Sequence, residues 1–273
     1  MPPETLQAAL DDLAAIVARL HAPAPEGCPW CLDQTQESLA DELVKESYEV
    51  ADAIRRASSG DVRDELGDVL LTLVGLAHLG ASSGGFTLAE VLSSINEKVV
   101  RRHPHVFGDT QASTPEEALR SWDAVKRGEQ AEDRSILEGI PPSLPALLRA
   151  AEMQQRAARV GFDWPKVDEV LVKVREEIGE LVAAEPGPQQ VEELGDLLFA
   201  LVNVARWLGF PAERALQEAN DKFARRFGAI ERACLERGVR PEDLSLEELD
   251  ALWNAAKAAE GSARQSSTPK IET

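Results

Sequence analysis

The chain has 273 residues, 44% hydrophobic and 28% charged, with a formal charge of −19 and a pI near 4.7. That composition excludes an intrinsically disordered chain and supplies apolar material for one large or two modest cores. The acidic excess excludes a broad electrostatic grip on a nucleic-acid polymer or an anionic membrane, so an anionic ligand needs local cations or a metal. Aromatics are only 5%, and β-branched runs with period-two alternation are lacking, so the expected class is all-α. No apolar run reaches membrane-spanning length, and the opening MPPETLQAALDDLAAIVARL has acids where a signal peptide has bases. A cytoplasmic protein without a membrane partner is expected.

In chain order, residues 4–20 read as an amphipathic helix, followed by a Pro/Gly-rich loop over 22–30. A second helix runs over 34–57 and stops at Ser58-Ser59-Gly60. Asp61 can cap a third, which reaches Leu79 and ends at Gly80. Its latter part, VLLTLVGLAHLG, is apolar nearly all round and should lie at the centre of a bundle. A fourth helix covers 88–102, and His103-Pro104-His105 ends it. The stretch to Pro145 reads as a less regular connection.

From Leu147 the plan repeats. GCPW at 27–30 returns as GFDW at 161–164, and Glu46 and Glu49 return as Glu177 and Glu180. ELGDVLLTLV at 65–74 returns as ELGDLLFALV at 193–202, and NEKVVRR at 96–102 as NDKFARR at 220–226. The expected organisation is a module over 1–110, a connection over 111–145, a second module over 146–259 ending in a helix near 246–259, and a disordered tail over 260–273. Each module reads as a four-helix-type bundle, completed by pairing with a second copy of the chain.

The chemistry concentrates in the acids. Residues three apart share a helix face, so Glu177 with Glu180, and Glu193 with Asp196, each present two carboxylates side by side. The breaker Pro186-Gly187-Pro188 should fold the two helices into an antiparallel pair and bring the acids together. At about 100° per residue, Glu46 falls within the stripe of Leu39, Leu43, Val50 and Ile54. Glu49 borders that stripe, and Glu177 and Glu180 run along the edge of the one made by Val167, Val170, Val174 and Leu181. Inward-facing carboxylates need positive charge. A divalent cation is one source, Mg²⁺ suiting oxygen ligands. The basic triplets Lys98, Arg101, Arg102 and Lys222, Arg225, Arg226 are the other. A metal beside Lys and Arg is the chemistry of phosphate esters and anhydrides. Structural salt bridges alone leave the four acids under-neutralised.

Other site types fit less well. No G-x-x-x-x-G-K-[ST] loop is present, and no histidine lies three residues after a glutamate as a di-iron bundle requires. Cys28-Pro-Trp-Cys31 lacks the βαβ context of a redox motif, and with Cys234 the cysteine count is odd. His103 and His105 read as solvated imidazoles in a turn rather than zinc ligands.

At these residues the sequence resembles the MazG family of all-α nucleoside triphosphate pyrophosphohydrolases in its two-module form. The resemblance is carried by GCPW with Gln34-Thr35, Glu46-x-x-Glu49, Glu65-Leu-Gly-Asp68, RRHPHVF at 101–107 and SLPAL at 143–147. It continues in VGFDW at 160–164, Glu177-x-x-Glu180, Glu193-Leu-Gly-Asp196 and NDKFARRF at 220–227, so that it spans most of 6–259. It implies hydrolysis of a nucleoside triphosphate between the α and β phosphates, with Mg²⁺ or Mn²⁺. It implies Glu177, Glu180, Glu193 and Asp196 as metal ligands, with Glu46, Glu49, Glu65 and Asp68 as the equivalent set in the first copy. Lys222, Arg225 and Arg226 would hold phosphates with Lys173 and Glu176 beside them, Trp253 would contact the nucleotide, and Glu177 or Glu180 would assist proton removal from water. The resemblance places hydrolysis in the C-terminal copy. Two departures stand out: Lys45 precedes Glu46 where the pattern has a glutamate, and Cys31 replaces an aspartate. By the angle count Lys45 lies far from the stripe, so it should lower the negative charge there without abolishing ligation. Gln189 and Gln190 leave base preference open. A homodimer is expected. The alternatives are a non-hydrolysing nucleotide or metal sensor or scaffold, and a purely structural bundle.

Overall fold

The computed structural model describes residues 5–56, 58–129 and 135–266, and among these every regular element is helical. The chain divides into two compact units, Met1–Glu132 and Asp133–Thr273.

In the first unit α1 spans Leu6–Leu20, α2 Pro29–Leu32 and α3 Gln36–Arg55. Thr35 opens α3 with a reciprocal cap: its Oγ1 accepts from the Ser38 N–H at 3.1 Å while Ser38 Oγ accepts from the Thr35 N–H at 3.0 Å. The next helix, α4, spans Ser59–Ser82, and its cap is Ser58 rather than Asp61. Asp61 sits one turn in, its N–H donating to Ser58 Oγ, and the helix runs two residues past Gly80. The short connection folds α4 back along α3, and α1 packs on α4 from another side. Val17, Leu39, Ala53, Val74 and Ala77 form the core. Gly75 permits the close approach of α3, because a Cβ there would meet Leu39 Cδ1 at 3.3 Å.

The expectation of a central α4 holds for one face. Leu66, Leu70 and Leu73, spaced i, i+4, i+7, remain 46, 51 and 43% exposed. By length and composition α4 would suffice to cross a bilayer, contrary to the reading of the sequence, although its first half carries Asp61, Asp64, Glu65 and Asp68.

After α5 (Leu88–Arg102) the structure corrects the expected irregular connection. It forms α6 over Pro104–Phe107 and α7 over Pro115–Gly128, and α7 packs on α5 within the first unit. The start of α7 has an ordinary physical cause. Thr114 Oγ1 accepts the Glu117 N–H at 3.2 Å, Pro115 takes the first helical position, and Glu116 and Glu117 complement the helix dipole. Likewise Cys28 caps α2 and Cys31 is buried within it, both as free thiols, where a loop was expected. His103 and His105 are half-buried rather than solvated, with His103 Nδ1 donating to the Val99 carbonyl at 2.6 Å.

Glu129 fastens α7 to α5 by accepting from Arg101 at 2.6 Å and from Arg102 at 2.6 and 3.0 Å. These guanidiniums, Arg102 foremost, hold its carboxyl down from an ordinary 4.5 to about 2. A depressed folded pKa gives stability that is fully present above 4.5 and disappears as pH falls through about 2. The melting-temperature gap between wild type and Glu129→Gln should therefore be widest near neutrality and shrink steadily below pH 4.5 in an acid thermal-denaturation series.

The second unit contains α8 (Ala146–Arg159), α9 (Val167–Ala183), α10 (Pro188–Trp207), α11 (Ala212–Arg237), a 3-10 turn over Pro241–Asp243, and α12 (Leu246–Ser266). Gly187 and Pro188 reverse the chain so that α9 and α10 form the expected hairpin. Across it lies α8, whose buried Gln154 donates from Nε2 to the Phe199 carbonyl at 2.8 Å. Val170, Val174, Ala200, Val202, Ile230 and Cys234 form the core. Gly238, at φ +67°, ends α11 in the left-handed conformation. The last helix continues beyond the expected limit at 259, so 260–266 is helical rather than a tail; 267–273 lies outside the described residues.

Candidate metal and phosphate site

In the α9–α10 hairpin Glu177, Glu180 and Glu193 each bring one carboxylate oxygen within 4.8 Å of the others. In the α3–α4 hairpin Glu46, Glu49 and Glu65 do the same. Three of the four expected acids thus converge in each unit; Asp196 and Asp68 stay outside these groups and are exposed. The expectation that the acids face the core is met by Glu177, 4% exposed, and Glu46, 7% exposed, but not by Glu180. Three residues along a helix is a rotation of about 60° short of a full turn, enough to carry Glu180 from the buried line to the open side.

One oxygen decides the character of the second-unit site. Glu177 Oε2 is buried without any hydrogen-bond partner, while its Oε1 lies 2.7 Å from Lys173 Nζ. Lys173 also reaches Glu176 at 2.7 Å, and these carboxylates, Glu176 foremost, hold its amine well above the usual range. Partial desolvation raises the Glu180 carboxyl; Lys173 opposes the rise, and Glu177, Glu176 and Glu193 reinforce it. Glu65 is raised for the same primary reason, then by Glu49, Asp68 and Glu46. A buried carboxylate oxygen without a partner, in a group of hard oxygen donors, fits a divalent cation.

The position of Lys45 corrects the angle count. Its Nζ lies 3.1 Å from Glu42 and Glu46 and 3.7 Å from Glu49, so it reaches the first-unit acids directly. Counting from the buried glutamates, Glu42 corresponds to Lys173 and Lys45 to Glu176. Each unit therefore has one lysine paired with the buried acid, held by an i,i+3 partner, with the two charges exchanged between positions.

The basic triplets make their ion pairs elsewhere than expected. Arg226 and Arg225 meet Glu260 of α12, at 2.8 and 3.6 Å, as Arg101 and Arg102 meet Glu129. Lys98 and Lys222 are exposed. Trp253 is half-buried, 5.4 Å from the Phe223 ring, with the Arg226 guanidinium 5.4 Å from its centroid. Trp122 holds the matching place beneath Arg102 at 5.2 Å. The chain thus repeats once more than the four blocks indicated: W-x-A-x-K-x-x-E occurs at 122–129 and again at 253–260. The signal was in the sequence, inside the stretch read as a connection.

Beside the second-unit acids opens a cavity of about 720 Å³ whose walls include Lys173, Glu177, Asp196, Gln154, Trp164 and Arg206. Its rim is tied by Asp163, which accepts from two nitrogens of Arg206 and from Trp207 Nε1 at 3.3 Å. Burial pushes the Asp163 carboxyl up, but the Arg206 guanidinium and the Trp164 N–H outweigh it and hold the group below its ordinary value. Neither Asp163 nor Arg206 was singled out from sequence; they are 43 residues apart and only the fold joins them.

The fold and site define an all-α protein with two acid-lined helical hairpins, one flanked by a cavity. A family model described as the MazG nucleotide pyrophosphohydrolase domain matches residues 34–107 and 167–228, a segment in each unit. An Escherichia coli (strain K12) protein named nucleoside triphosphate pyrophosphohydrolase is 43% identical over 258 residues, covering 92% of this chain and 98% of that one. A Thermotoga maritima protein named nucleoside triphosphate pyrophosphohydrolase/pyrophosphatase MazG is 39% identical over 251 residues, covering 92% and 96%. A crystal structure of a mazG-related protein from Thermotoga maritima aligns with 43% of this chain and 98% of that chain, at 26% identity and a TM-score of 0.37. The chain belongs to the MazG family.

Proposed function

We propose that the second unit hydrolyses nucleoside triphosphates between the α and β phosphates, releasing the monophosphate and pyrophosphate. The observation that carries this reading is the partnerless buried oxygen of Glu177 among converging carboxylates, at the wall of a cavity that also exposes Lys173. Glu177, Glu180 and Glu193 would hold a divalent cation, Mg²⁺ or Mn²⁺, with Asp196 joining from the cavity wall. When bound, such an ion neutralises phosphoryl charge and makes a water more acidic. Lys173, steered by Glu176, lies where a triphosphate in the cavity would meet it. Glu180, which stands on the open side of the acid group, would take the proton of the attacking water. Lys222, Arg225 and Arg226 take phosphates, and Trp253 the nucleotide. The working location is the cytoplasm, where the reaction limits or clears nucleotides.

The test is to incubate the chain with each nucleoside triphosphate and Mg²⁺ and separate the products by anion exchange. Monophosphate with pyrophosphate is expected. Diphosphate with phosphate would move the cleaved bond, and binding without turnover would favour a nucleotide sensor.

The proposal includes a homodimer. Leu194, Leu198 and Leu201 on α10 are 46, 47 and 45% exposed, repeating the Leu66, Leu70 and Leu73 stripe of α4 position for position. Such stripes suit a partner helix. Light scattering should give twice the 29.7 kDa of one chain, and the double variant Leu70→Glu, Leu198→Glu should halve that mass.

A further inference from the structure

Glu260 has no counterpart among the acids that converge in the hairpins, and it lies on a different helix, α12. It contacts both arginines of α11 through their Nε atoms: Arg226 at Oε2 and Arg225 at Oε1. A contact through Nε leaves the two terminal Nη nitrogens of a guanidinium to act as a fork toward another oxyanion. Arg226 is further fixed by Trp253, over whose ring its guanidinium lies at 5.4 Å. The first unit provides an internal comparison. Glu129 meets Arg101 through Nε but engages Arg102 through both Nε and Nη2, while Trp122 again supports the second arginine. The same three-part arrangement of carboxylate, arginine pair and indole thus occurs in both units, and among the described residues the second-unit version commits fewer of its arginine nitrogens.

We propose that Glu260 is a positioning residue for the reaction, holding Arg225 and Arg226 by their inner edges so that their Nη ends are presented to the substrate phosphates. This rests on the reading of the second unit as a triphosphate hydrolase. The physical gain is entropic. A free arginine loses much rotamer freedom when it closes on a phosphate, and two arginines already held in place lose less.

The experiment is steady-state kinetics of the full chain with a nucleoside triphosphate and Mg²⁺, comparing wild type, Glu260→Gln, Glu260→Asp, Arg226→Ala and the double variant Arg226→Ala, Glu260→Gln. Glu260→Gln should raise KM about tenfold and leave kcat within about threefold, since ground-state and transition-state contacts weaken together. Glu260→Asp, with the charge kept and the reach shortened, should fall between, and it carries the test if the glutamine variant loses its helical circular dichroism. In the Arg226→Ala background the Glu260 change should cost much less, because one of the two groups it positions is gone. An unchanged KM overturns the proposal. A lowered KM overturns it too, showing a carboxylate that competes with substrate. An equal loss in both backgrounds would reduce Glu260 to an anchor of α12. A wild type without turnover, or an Arg226→Ala variant with normal KM, would instead remove the underlying hydrolase or phosphate assignment.

Discussion

Glu180→Gln and Asp196→Asn, made separately in the full chain, should each cut triphosphate turnover by at least about a hundredfold while the far-ultraviolet circular dichroism stays that of wild type. Both side chains are exposed, so neither replacement opens a hole in the core or strands a buried partner. Their effects should differ in form. Loss of Glu180 removes the proposed proton acceptor and should leave substrate affinity largely intact. Loss of Asp196 removes a proposed ligand at the cavity wall and should be partly recovered by raising the metal concentration. Full activity in both variants would end the assignment of chemistry to this hairpin.

The second large effect is on stability. A ligand that binds only the folded state stabilises it by about 2.7 kcal/mol at a hundred times its dissociation constant. At roughly 2–4 °C per kcal/mol for a protein of this size, wild-type chain in saturating Mn²⁺ should melt about 5–11 °C above its value in chelator. Glu177→Gln should abolish that rise, because it replaces the buried carboxylate whose second oxygen lacks a partner. The measurement is independent of turnover. A wild-type midpoint indifferent to the ion would remove the metal even if hydrolysis were observed.

What could be read in advance followed from local periodicity. Glu46 and Glu177 lie close to leucine and valine stripes of their own helices, so counting angles was sufficient to bury them. The same count misjudged Lys45, because it fixes where a Cβ points and not where the far end of a long flexible side chain goes; Lys45 Nζ curls back to Glu46 and Glu49. It also placed Ile54 on the buried stripe, where the structure leaves it 60% exposed near the helix end. The helix α7 was missed for a different reason. His103-Pro104 reads as an end to regular structure, and it masks the Thr114-Pro115 helix start that follows. Asp163 with Arg206, and Glu260 with Arg226, are tertiary partners, and no window along the chain contains both members.

The exchange of charge between Glu42–Lys45 and Lys173–Glu176 has a consequence for how the two halves can change. Reversing one member alone sets two like charges one helical turn apart beside a buried glutamate, which is unfavourable in either unit. Joining the front of α9 to the rear of α3 would crowd two ammonium groups onto Glu46. The reciprocal graft would leave Glu177 among acids with no ammonium from its own helix. The two hairpins are thus separated by a paired step, and shuffling segments between the duplicated halves is safe only where the join leaves each lysine with its own acid.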